Sequence, residues 1–192
     1  GGYYNLGAKD IEWPSAVEGQ EDFPRHIELL VGSSATSSVD LSEPLQSVME
    51  QLSSLHERGF VMKASTKSGK DFGHEHFKLE NGIVPGHAYA GPLWYGAVDG
   101  HHLGYLRNTW GAEEWTGKWS DTSTAWKKHP KVKAALLATG LFAEKKGQSA
   151  PMLKQGLGNG YVAENDGGVL IEIADLCKHF RRVDALAGPA SS

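Results

Sequence analysis

An α+β fold, with a mostly antiparallel β-sheet and flanking helices, is what this sequence predicts. Three observations carry the prediction. Residues 42–59 place apolar side chains at helical spacing between good start and stop residues. Residues 83–107 hold short apolar runs joined by an Asp-Gly turn signal, the pattern of antiparallel neighbours. A second helical stretch at 130–141 and a strand-like run at 169–173 follow.

The elements are justified in order. Residues 1–40 are mixed in character. Tyr3 to Leu6 finishes a helix or a loop, Pro14 to Gly19 is turn-like, and Arg25 to Gly32 is a short apolar piece ending at a glycine. The Ser/Thr/Ala stretch from Ser33 to Ser38 is the best boundary. Ser42 is expected as a helix N-cap, with Pro44 in the first turn and Gly59 after the end. Leu45, Val48, Met49, Leu52 and Leu55 share one face, which reads as core packing. Phe60 to Ala64 is expected as a strand and Thr66 to Glu80 as a polar loop. Ile83 to Ala90 and Leu93 to Val98 read as strands, Asp99-Gly100 as a tight turn, and His102 to Arg107 as the returning strand. Pro130 to Leu141 is expected as a helix with proline at its start. The Gly- and Lys-rich residues 143–162 read as a loop, Val169 to Ile173 as a strand and Ala174 to Phe180 as a short helix. The small, polar end from Ala185 reads as frayed.

Bulk properties narrow the function. The chain has 192 residues, 40% hydrophobic and 22% charged, as expected of a soluble globular protein. A net charge of −4 argues against an electrostatic footprint for nucleic acid or an anionic membrane. The pairs Lys127-Lys128 and Lys145-Lys146 are too sparse to change that. No apolar run approaches a membrane span, no signal-peptide pattern opens the chain, and there is no initiator Met. Gly1-Gly2-Tyr3-Tyr4 reads as the interior of something longer. The one cysteine, Cys177, excludes an internal disulfide and makes a reducing, cytoplasmic setting the simpler expectation. Five of the six tryptophans fall between positions 94 and 126, which implies a large local burial of aromatic surface.

The chemistry centres on two polar residues. His87 lies early in one expected strand, in Gly86-His87-Ala88-Tyr89, and Asn108 lies just past the end of another, in Arg107-Asn108-Thr109-Trp110-Gly111. Such ends meet at one rim of an antiparallel sheet. A thiol protease needs a histidine that takes a proton from cysteine and returns it to the leaving amine. It also needs a partner that fixes the ring, which an amide supplies. Trp110 is placed to shield that bond from water. The plain alternative is a core histidine and a turn asparagine.

The match with a known pattern is more specific. Gly86-His87-Ala88-Tyr89, then Arg107-Asn108-Thr109-Trp110-Gly111, then Glu114-Trp115-Thr116-Gly117-Lys118-Trp119-Ser120-Asp121 closely resembles the calpain cysteine protease core. Residues 59–65 resemble the strand before the catalytic histidine, and residues 168–180 the family's terminal segment. The resemblance implies a papain-like second core subdomain over residues 42–182, the end of the first over 1–40, and a flexible tail over 183–192. It implies His87 as general base, Asn108 as orienting amide and Trp110 as the indole that covers them. The family's nucleophilic cysteine and oxyanion glutamine belong to an upstream subdomain, a necessary partner. Cys177, in Asp175-Leu176-Cys177-Lys178-His179-Phe180, occupies an apolar helix position of the family and is expected to pack.

The resemblance also implies calcium, held by oxygen donors at Glu114, Asp121 and Asp166. Gly168 stands where the family has another acidic ligand, so one oxygen source is lost. Glu113 or a water is a substitute. Thr109 stands where the family usually has proline, which makes the turn carrying Asn108 and Trp110 less rigid. The implied activity is calcium-dependent cysteine-type endopeptidase action on intracellular protein substrates, with this chain inactive alone. A non-catalytic module that binds calcium or a partner is the alternative. Transglutaminase-like acyl transfer pairs histidine with aspartate, and Asn108 counts against it. His74-Glu75-His76 lacks a third metal ligand, Gly156 to Gly160 lacks the preceding strand of a dinucleotide site, and His101-His102 reads as a hairpin end.

Overall fold

Side chains from His101 to Asn108 alternate across a sheet, and that alternation builds two cores at once. Leu103 and Tyr105 enter one core and Leu106 the other, all three buried. The computed structural model describes residues 36–68, 81–110, 114–144, 147, 149–154 and 167–187. The elements run β1 (Thr36–Asp40), α1 (Leu45–Glu57), β2 (Val61–Thr66), β3 (Ala88–Val98), β4 (His101–Asn108), α2 (Ala125–Lys128), α3 (Pro130–Ala138), β5 (Phe142–Glu144), β6 (Pro151–Leu153), β7 (Gly168–Glu172), α4 (Ile173–His179) and β8 (Phe180–Leu186). Six strands form one sheet in the order β1-β8-β2-β3-β4-β7, with each neighbouring pair antiparallel. The α+β class and its antiparallel sheet are therefore as the sequence predicts.

Helices α1 and α4 cover one face. Val48, Leu52 and Leu55 of α1 and Ile173 and Leu176 of α4 pack on Met62, Ala64, Tyr89, Val183 and Ala185. The other face, at the β3-β4-β7 end, carries α2, α3 and the β5–β6 hairpin. Trp119, Trp126, Val132, Leu136 and Phe142 pack there on Trp94, Leu103, Tyr105 and Leu170. The tryptophan cluster thus divides between the cores: Trp94, Trp119 and Trp126 lie in this one, and Trp115 in the other.

Several local expectations change. Helix α1 starts at Leu45 after an extended Pro44 and has no side-chain cap. Ser42 does not cap it, because both its N–H and its hydroxyl donate to Asp40 Oδ1, at 2.9 and 2.8 Å. The helix does end at Gly59, which adopts φ +72. There the Phe60 and Gly59 N–H groups return to the Leu55 and His56 carbonyls, the paired bonds of a Schellman motif. The Asp99-Gly100 turn joins β3 to β4 with both residues at positive φ, 47 and 80, the geometry of a two-residue hairpin. The two expected strands on either side of Pro92 are one strand, β3, whose register to β4 shifts between Ala90 and Trp94. Residues 83–87 precede that strand and do not join it.

Helix α3 stops at Ala138, three residues before the expected end, and Gly140 turns the chain at φ +72. Part of the expected loop after it is the β5–β6 hairpin, because Phe142, Met152 and Leu153 find buried positions. At the chain ends, the expected boundary and tail are partly strand. Thr36–Asp40 pairs with Phe180–Leu186 at the sheet edge, and Val183, Ala185 and Leu186 are buried. The pairing was hidden because the two strands are remote in sequence. Residues 1–35, the His74-Glu75-His76 segment and the Gly156 to Gly160 run lie outside the described residues.

The α1 face supplies a direct check. Leu52 is fully buried and Leu45 is 42% exposed. Leu52→Ala is expected to lower unfolding free energy by about 2–5 kcal/mol, and Leu45→Ala by under about 0.5 kcal/mol. Urea denaturation of the two variants measures both, and equal losses would contradict this packing.

Candidate active site

Asn108 closes β4 directly opposite Tyr89 of β3. His87 lies two residues before Tyr89, just ahead of β3, and its side chain reaches Asn108. The His87 Nε2 to Asn108 Oδ1 distance is 2.9 Å, and Asn108 is fully buried. The Asn108 backbone N–H donates to the Gly167 carbonyl at 2.8 Å, which fixes the residue from the β7 side.

The proton positions follow from the partners. The Trp110 backbone N–H donates to Asn108 Oδ1 at 3.1 Å. An N–H donor needs an acceptor, so the amide atom between Trp110 and His87 is the oxygen. That oxygen cannot donate, so His87 Nε2 carries the proton of the neutral ring. The lone pair is then on Nδ1, which has no hydrogen bond among the described residues. Burial holds the His87 pKa below the ordinary imidazole value, and the bond to Asn108 partly offsets this by favouring the charged ring. The arrangement is a neutral, oriented base.

Trp110 lies over His87, with ring centroids 4.1 Å apart and planes inclined by 35°. Trp110 as a residue is 62% exposed, so it covers the imidazole while much of it meets solvent. The structure therefore brings together His87, Asn108 and Trp110, as the motif spacing suggests. Sequence reasoning missed Thr66, which bonds the His87 backbone from β2. No local pattern signals it, because the contact spans 21 positions. Tyr89, within the motif but given no role, sets its ring edge-on to His87 at 5.2 Å.

The acidic positions are less concentrated. Glu114 Oε1 accepts the Gly167 N–H at 3.3 Å, so the loop after β4 meets the start of β7. Asp121 is half-buried, and its carbonyl accepts the Ser149 and Ala150 N–H groups. Asp166 and Glu113 lie outside the described residues. Among the described residues, no three His, Cys, Asp or Glu side chains form a group that could hold a metal. Gly168 opens β7 and offers no side chain. Hard carboxylate oxygens on adjoining loops suit calcium in kind, and the Glu114–Gly167 contact brings two of those loops together.

Cys177 is not an activated thiol. Burial pushes its pKa up, which disfavours the thiolate a nucleophile needs. The nearby His179 ring meets Asn81 instead, at 3.0 and 3.2 Å from its two nitrogens.

The electrostatics of His87 can be read by titration. Its pKa is depressed in the folded protein, so the neutral ring favours folding. That contribution is present above the unfolded value of 6.5 and is lost as pH falls through the folded value. Asn108→Leu keeps the site dry while removing the bond that raises the pKa. The His87 titration midpoint, followed by NMR of the ring protons, is expected to fall further in this variant. A rise would contradict the assignment of the Asn108 bond as the influence that raises the pKa.

Comparison with known proteins agrees with this geometry. The sequence profile of the calpain family cysteine protease domain matches residues 14–148. The calpain-type cysteine protease DEK1 of Arabidopsis thaliana is 40% identical over 94 residues, 48% of this chain and 4% of the relative. Calpain-5 of Mus musculus is 28% identical over 165 residues, 80% of this chain and 22% of the relative. Calpain-14 of Homo sapiens is 34% identical over 106 residues, 53% of this chain and 15% of the relative. The chain thus spans less than a quarter of the length of each of these relatives. With a profile match over more than half its length, and a buried amide orienting a histidine at the sheet rim, this chain belongs to the calpain family of cysteine proteases.

Proposed function

We propose that this chain supplies the His/Asn half of a calcium-dependent, calpain-type cysteine endopeptidase that performs limited proteolysis of cytoplasmic proteins. The single observation that carries the reading is the Nε2–H to Oδ1 bond, which leaves Nδ1 as a free base. A cysteine from the upstream subdomain is the nucleophile. Its thiol proton passes to His87 Nδ1, and the thiolate attacks the scissile carbonyl carbon. The tetrahedral intermediate collapses with loss of the amine, which takes the proton from His87, and a thioester remains. Water, deprotonated by the same Nδ1, then attacks the thioester, and the thiol recovers its proton as the acid product leaves. Asn108 holds the ring through both charge states, and Trp110 keeps water off the His87–Asn108 bond.

Glu114, Asp121 and Asp166 would hold calcium. Bound there, calcium would supply positive charge to offset these carboxylates, and the three residues would thereby tie their loops together and hold the two halves of the protease in register. Thr109 and Gly168 favour a second reading, a calpain-like module that binds calcium or a partner and does not cut. The residue at the upstream nucleophile position separates the two.

The full-length polypeptide is expected to react with an electrophilic peptide inhibitor of cysteine proteases at one upstream cysteine, and only with calcium. His87→Ala is expected to reduce turnover by at least about 10²-fold. Peptide mapping reads the site of labelling. No upstream labelling in a folded, calcium-loaded protein would support the non-catalytic reading. The 192-residue chain alone is expected to leave casein intact, and cleavage that depends on His87 would contradict the missing-nucleophile argument.

A further inference from the structure

We infer that Thr66 is a positioning residue for the His87 imidazole: its buried hydroxyl clamps the backbone that carries the ring. The inference rests on the reading of His87 as the general base.

His87 belongs to no strand or helix, yet its ring position follows from its backbone. The His87 N–H donates to Thr66 Oγ1 at 2.8 Å, and the Thr66 N–H donates to the His87 carbonyl at 2.9 Å. One residue therefore holds both polar groups of the His87 backbone. The Thr66 hydroxyl also lies 2.9 Å from the Val84 and His87 carbonyls. It has one proton, and the His87 carbonyl already receives a backbone N–H, so Val84 is the better-matched acceptor. The same hydroxyl thus ties two turns of the segment together.

The surroundings enforce this geometry. Thr66 is 1% exposed, so water cannot replace its bonds. It follows the point where the β2–β8 register shifts, between Ser65 and Thr66, and such irregularities re-aim a side chain. A β-branched side chain has few allowed rotamers, so the hydroxyl is held where the segment needs it. Neighbours complete the clamp: the Gly86 N–H donates to the Lys67 carbonyl at 2.9 Å, and the Val84 N–H to the Tyr89 hydroxyl at 3.1 Å. Among the described residues, Thr66 is the side chain that hydrogen-bonds the His87 backbone.

The test compares Thr66→Val, which keeps the shape and removes the hydroxyl, with Thr66→Ser, which keeps the hydroxyl. Two readouts are used on the full-length protein. With a fluorogenic peptide and calcium, Thr66→Val is expected to lower kcat by about 10- to 100-fold, the scale of an ångström-sized misplacement, with KM changed less than about twofold. Thr66→Ser is expected to restore kcat to within about threefold of the starting protein, a margin of under one kcal/mol in the barrier. The second readout, the Nε2 ring proton of His87 in NMR, needs no catalysis. Thr66→Val is expected to broaden or lose that signal by loosening the bond to Asn108, and Thr66→Ser to keep it. Normal kcat and an intact ring-proton signal in Thr66→Val would overturn the inference. A protein that does not cleave, but whose ring proton responds as expected, would refute the protease reading and leave the clamp standing. Should Thr66→Val not fold, Thr66→Ala carries the same expectations.

Discussion

The active-site rim depends on one atom, Oδ1 of Asn108. It accepts from His87 Nε2 and from the Trp110 backbone N–H, and so fixes the tautomer of the base and the turn that carries its cover. An amide suits the task because it is neutral. A buried carboxylate there would stabilise the imidazolium and lift the histidine pKa, whereas the amide orients the ring and leaves it neutral. The atom can do this only if Asn108 faces the correct side of β4. That is a matter of register: a slip of one residue against β3 would turn the side chain to the opposite face. The Asp99-Gly100 hairpin sets the count as far as the Trp94–Tyr105 pair, the shift between Ala90 and Trp94 resets it for Asn108, and the buried alternation of Leu103, Tyr105 and Leu106 keeps the faces of β4 in order.

The same residue connects the site to the acidic loops. Gly167 accepts the Asn108 N–H with its carbonyl and donates its own N–H to Glu114. Two hydrogen bonds therefore separate a carboxylate from the backbone of the orienting amide.

Much of this was legible in the sequence, and the exceptions share a cause. Helix α1, the β3–β4 hairpin, β7 and α4 follow from periodicity and turn residues, which act over a few positions. The pairing of His87 with Asn108 followed from strand ends meeting at a rim, and from the motif around both residues. The edge strand Thr36–Asp40 and the length of β8 were not legible, since each depends on a partner more than a hundred positions away. Ser42 looked like a helix cap, but a nearby aspartate competes for its hydroxyl. Thr66 read as the first residue of a polar loop. Its role appears only when β2 is laid beside the segment before β3.

That segment, residues 81–87, explains how an irregular stretch delivers a side chain with precision. Its far end is pinned beside the acidic loop: the Asn81 carbonyl accepts the Thr116 N–H, and Asn81 Oδ1 accepts the Ile83 N–H. Asn81 also meets His179 at the end of α4, and the Trp115 ring lies tilted against the same imidazole, 5.5 Å away. Between these contacts sits Gly82, at φ +82, where a Cβ would come 1.9 Å from the Glu114 carbonyl oxygen. Only glycine allows both the backbone turn and the close approach. The near end is held by Thr66, Lys67 and Tyr89. A segment fastened at both ends needs no ladder of its own, and leaves His87 Nδ1 without a hydrogen bond among the described residues. On the protease reading, His87 can face a nucleophile from another part of the protein while its backbone stays fixed to this sheet.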